Sequence, residues 1–151
     1  MPDIDFAFLA DAADARPGEK FSVIGGGVSR IGGRGFPLVH PHLALVVGLL
    51  VTAAEVGREH ELRFVFFGPD GAQIADATGA IRADGQQEAR DQVVTFAVDF
   101  WSLAFPAAGD YTLRILVGGS ERKRLVLTVG AVFAATEPPG AESSAGRRLD
   151  A

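Results

Sequence analysis

Gly109-Asp110-Tyr111-Thr112-Leu113-Arg114-Ile115-Leu116-Val117-Gly118-Gly119, continued by Glu121-Arg122-Lys123-Arg124-Leu125-Val126-Leu127-Thr128-Val129, reads as two β-strands closed by a tight Gly-Gly-Ser turn. Tyr111, Leu113, Ile115 and Val117 fall on one face of the first strand, and Leu125, Leu127 and Val129 on one face of the return. A period of two needs one buried and one wetter side, which predicts an antiparallel sheet packed on a core.

Working outward from this hairpin, Val93 to Phe105 predicts a long strand whose phase changes. Val94, Phe96, Val98 and Phe100 share a face, then Trp101, Leu103 and Phe105 take over at the opposite parity, so a bulge near Phe100-Trp101 is expected to turn both sets inward. His60 to Phe67 and Gln73 to Thr78 flank the turn Gly68-Pro69-Asp70-Gly71 and predict a hairpin. Leu43 to Ala54 is apolar on both faces, which suits a strand covered twice or one face of a subunit contact. Ile4 to Ala10 and Phe21 to Ile24 predict two further strands around the turn Arg16-Pro17-Gly18-Glu19. The segment Gly25 to Gly35 reads as a bulge and a loop, because glycine weakens a strand interior. Arg82 to Arg90 reads as a loop or one helical turn.

About eight short strands between Gly and Pro turns predict an all-β fold, a single antiparallel β-sandwich over residues 1–132. Its expected core includes Phe6, Phe8, Phe21, Leu45, Val47, Phe64, Phe66, Phe96, Trp101, Tyr111, Leu113 and Leu127. Glu137-Pro138-Pro139-Gly140-Ala141-Glu142-Ser143-Ser144 has the composition of a flexible tail, so residues 133–151 are expected to be disordered. The chain has 151 residues, 48% of them hydrophobic and 11 of them Phe, which suits one domain with a sizeable core.

Ala108-Gly109-Asp110-Tyr111 resembles the tyrosine corner of immunoglobulin-like sandwiches, with Leu113 where those domains carry a Cys. The resemblance implies an Ig-like or C2-like sandwich without a disulfide. Asp3 to about Val129 further resembles a family of uncharacterised bacterial β-proteins, through Asp5-Phe6-Ala7-Phe8, Val23-Ile24-Gly25-Gly26-Gly27, Pro41-His42-Leu43-Ala44-Leu45-Val46-Val47, Glu59-His60-Glu61-Leu62 and Gly109-Asp110-Tyr111. That resemblance implies no catalytic residue and no cofactor.

A net charge of −5 argues against general binding to nucleic acid or to anionic membranes. The absence of Cys removes disulfide and thiolate chemistry and suits a reducing cytoplasm. The start shows no basic region ahead of an apolar stretch, so no signal peptide is expected, and the longest apolar run is too short to span a bilayer.

Two clusters are candidate sites. In His40-Pro41-His42 the extended backbone at Pro41 is expected to set both imidazoles on one side, where they would bind a transition metal, as in a metal-dependent enzyme, if the fold brought His60 or Glu59 to join them. The glycines Gly25, Gly26 and Gly27, with Arg30 and Arg34, suggest an anion nest for a phosphate or carboxylate. No Asp-His pair is suggested by spacing, and Ser22, Ser29, Ser102 and Ser120 lack the context of an activated nucleophile. Arg122-Lys123-Arg124 with Arg114 reads as a basic strip protecting a sheet edge. The expected function is therefore a non-enzymatic interaction or assembly module without a cofactor. Its expected partner is another protein or a second copy of the chain.

Overall fold

The computed structural model describes residues 1–84 and 90–131. The expected tail, the domain boundary at 132 and residues 85–89 lie outside the described residues. The strands are β1 (Asp3–Asp14), β2 (Ser22–Gly26), β3 (Arg30–Gly33), β4 (Leu38–Val51), β5 (Glu59–Phe67), β6 (Gln73–Arg82), β7 (Gln92–Phe105), β8 (Gly109–Val117) and β9 (Ser120–Ala131). A single 3-10 turn, Ala53–Glu55, links β4 towards β5. One sheet has the order β2-β1-β4-β7 and the other β3-β9-β8-β5-β6. Their inner faces pack together as a sandwich.

The deciding hairpin is the β8–β9 pair, with Tyr111 opposite Leu127 and Leu113 opposite Leu125. Tyr111, Leu113, Ile115, Leu127 and Val129 are all buried. Across the sandwich, Phe66 meets Phe100 at a ring separation of 5.1 Å and Phe105 meets Tyr111 at 4.9 Å, both edge to face. Each fully buried ring of this kind contributes about 1.5–3 kcal/mol from area alone. The Tyr111 hydroxyl donates to Ala107 O at 2.7 Å and accepts from Ala107 N at 3.3 Å. It ties the entry of β8 to the preceding loop, as a tyrosine corner does.

All strand pairs are antiparallel except β3–β9, which is parallel. Strand β3 corrects the expectation of a loop over Gly25 to Gly35. The segment is a crossover between sheets, and only Ile31 of β3 is buried. Alternation needs at least two inward side chains to show, and glycines supply none.

Strand β4 sits between β1 and β7, with Leu43, Leu45, Val47, Leu49 and Val51 facing the core. Its outward Ala44 and Val46 are fully buried as well. The second apolar face is thus covered within one chain, not by a subunit contact. Strand β1 supplies a reason. Phe6 and Phe21 have their rings 6.1 Å apart. Yet Phe21 adjoins Ser22, which pairs with Asp14, and a straight strand would set Asp14 about 26 Å from Phe6. The far end of the β1–β2 hairpin therefore bends back over the outer face of its own sheet. Pro17, in the hairpin turn, reaches the β6–β7 seam beside Phe96 and Val98.

This arrangement corrects the expected core. A register shift between Ile4 and Phe6 puts Ala7 and Leu9 inward, opposite Val47 and Leu45. Phe6, Phe8 and Phe21 then form a stacked cluster on the outer face. Gly48 lies opposite Phe6, and a Cβ there would overlap the Phe6 ring.

The expected phase change in β7 is present, one residue later than expected. Phe100 and Leu103 are buried, while Trp101 and Ser102 both face out. Ser102 adopts φ 50°, the one non-glycine residue in the left-handed region among the described residues. Strand β4 changes phase at the same level, at Pro41–His42, so the register with β7 continues unbroken on both sides.

Candidate functional site

The paired phase change creates the most distinctive surface of the molecule. His42 pairs with Trp101 across β4 and β7, and both project from the outer face. Their rings stack at 4.0 Å with 24° between planes. His42 Nε2 and Asp99 Oδ1 are 2.7 Å apart. Asp99 and Trp101 lie two residues apart on β7, so they flank the imidazole from one strand. The carboxylate fixes the ring, and the ring fixes the indole. Trp101 is nonetheless 69% exposed, and Val39, opposite Ala104 on the same face, is 55% exposed. The patch formed with them by Pro41, Ser102 and Ala104 adds no ionisable side chain to Asp99 and His42.

Trp101 therefore leaves the expected core, and the Asp99–His42 pair is one that spacing did not suggest. The signal for half of it was present: period two puts Asp99 and Trp101 on one face. The partner strand, 57 residues away in sequence for His42 and Asp99, needed the strand order. The pair holds two parts of an acid–base unit. No hydrogen bond joins it to the Ser102 hydroxyl among the described residues.

His40 lies before the phase change, opposite the buried Leu103, and His42 after it. The two imidazoles consequently point to opposite faces of β4, which corrects the expectation of a shared side. Among the described residues no cluster of three or more His, Asp or Glu side chains is placed to hold a metal.

The glycine-rich candidate is also divided. Gly25 and Gly26 end β2 in one sheet, and Arg30 begins β3 in the other. Gly25 has φ 62°, and a Cβ there would collide with the Asp11 carboxylate, so an acid already lies against this backbone. Gly27 N and Val28 N both donate to Leu9 O at 2.9 Å. Those N–H groups are engaged, and Arg34 sits exposed beyond β3. The geometry gathers none of these groups around a common anion position.

On the basic strip, Arg124 and Arg114 lie on either side of Glu121, at 3.1 and 3.4 Å. Arg114 also covers the Phe67 ring at 4.6 Å. Strand β3 pairs only with Thr128–Ala131 of β9. The half of β9 left open is the half bearing Arg122-Lys123-Arg124, which suits edge protection.

One buried acid is structural. Glu55 accepts from Thr52 N at 3.0 Å and Thr52 Oγ1 at 2.6 Å, and pairs with the Met1 ammonium at 2.8 Å. The ammonium first, then the Thr52 hydroxyl, lower its pKa to about 2. No helix among the described residues is long and apolar enough to cross a membrane.

The C-terminal domain of Wzt superposes with a TM-score of 0.47 at 10% identity, covering 87% of this chain and 75% of that one. An immunoglobulin-like protein from Pseudomonas aeruginosa gives 0.44 at 10% identity, covering 85% and 96%. No curated protein matches. The model of a family of unknown function, DUF6941, matches residues 5–130, nearly the whole described sandwich, and the chain therefore belongs to the DUF6941 family.

Proposed function

We propose that the chain is a non-enzymatic assembly module that docks through the patch around Trp101, and that its partner is a second copy of the chain. The observation that carries this reading is an exposed indole held in place by His42, itself held by Asp99. Exposed Trp side chains that are already immobilised make strong interface anchors, because little side-chain freedom is lost on binding. Charge restricts self-association to a face of low charge. The chain carries −5, so two copies repel in general, whereas Val39, Pro41, Trp101, Ser102 and Ala104 offer an uncharged face whose one neighbouring acid, Asp99, is hydrogen-bonded to His42. A two-fold axis brings the same patch to itself. The Cys-free composition suits the cytoplasm.

Trp101 is the single tryptophan, so its fluorescence reads the patch directly. Sedimentation velocity is expected to show a dimer at tens of micromolar, with indole emission shifting to the blue as concentration rises. Trp101→Ala is expected to sediment as a folded monomer. A wild-type chain that stays monomeric, with emission unchanged from low to millimolar concentration, overturns the proposal.

A further inference from the structure

At the β6–β7 seam, where the two sheets meet at their open edges, lies a half-open groove with room of about 170 Å³. Its walls are Leu62, Phe64, Phe96, Val98 and Ile81, and the exposed Pro17 of the folded-back hairpin borders it. The void has an identifiable origin. On β6 the positions facing Leu62 and Phe64 are Gly79 and Ala77, so the strand brings almost no side chain into the space. A Cβ built at Gly79 meets no atom within 4 Å. Phe64 and Phe96 stand with their centroids 6.2 Å apart and do not close it.

We propose that this seam is a binding site for a small uncharged apolar molecule, a single aromatic ring or a short alkyl chain, with Pro17 at its border. The room suffices for one aromatic ring, since ~150 Å³ of apolar space accommodates benzene, and the open side of the groove admits it without local unfolding. The walls are mostly hydrocarbon, with Thr78 the one polar side chain and no ionisable one, so a charged ligand would lose hydration with little recompense. The site shares no residue with the Trp101 patch and stands or falls independently of it.

Toluene and hexan-1-ol are the probes, added to the full chain and followed by methyl NMR. Peaks of Leu62, Ile81 and Val98 are expected to move with a Kd of ~1 mM. Gly79→Leu, whose side chain occupies the space, is expected to abolish those shifts while raising Tm by a few degrees. Should that variant fail to fold, Ala77→Val serves the same purpose. Peaks that stay still up to the solubility limit of both probes overturn the proposal. So do shifts that persist unchanged in the filled variant.

Discussion

Glu55 is a carboxylate that folding makes more acidic. Its partners are the Met1 ammonium and Thr52, and they lower its pKa from 4.5 to about 2. A depressed folded-state pKa contributes stability that is fully present above the unfolded value and is lost as pH falls from 4.5 towards 2. Glu55→Gln is expected to cost about 2 kcal/mol at pH 7 and to flatten the acid limb of the stability curve. Urea titrations from pH 2 to 7 check both, and an unchanged acid limb refutes the assignment. Tyr111 offers a second test at this scale. Tyr111→Phe removes both bonds to Ala107 and keeps the buried ring. The expected loss is about 1–1.5 kcal/mol in urea denaturation with no change in m-value.

Among the elements, the β4–β7 pair shows how two strands turn without losing register. Each inserts two successive outward residues at the same level, Pro41–His42 against Trp101–Ser102. Pro41 has no N–H to donate, and Ser102 takes a left-handed conformation. Ser102→Gly is expected to raise stability by about 0.5 kcal/mol, because glycine adopts that conformation freely. Ser102→Val is expected to lower it by about 1–2 kcal/mol. Equal melting temperatures for the two variants would refute the strain.

The same pair marks the limit of legibility. Alternation in Val93 to Phe105 showed that the phase must change, but not whether Trp101 falls before or after the break. In β1 the alternation of Phe6 and Phe8 was legible and its face was not, since the register shift at Ile4 depends on the neighbour β4. Strand β3 left no trace, because Gly32 and Gly33 carry no side chain to alternate.

For the whole molecule, composition and strand pattern sufficed for a sandwich, and the tyrosine corner sharpened it. The candidate surface was out of reach for a topological reason. His42 and Asp99 belong to strands adjacent only because β7 closes the sheet beside β4. The glycines and arginines of Gly25 to Arg34 looked like one cluster because they are contiguous in sequence. The chain instead crosses between layers within that stretch, which disperses them.

The parallel clasp of β3 on β9 joins Arg30 to Thr128, and this has a consequence for biosynthesis. The nascent polypeptide must hold β3 unclasped until nearly all of the domain has been translated. At ~5–20 residues per second that interval is roughly 5–20 s. During it the ribosome exposes an incomplete barrel-side edge to every other emerging peptide, so chaperone capture should concentrate on chains stalled before residue 128.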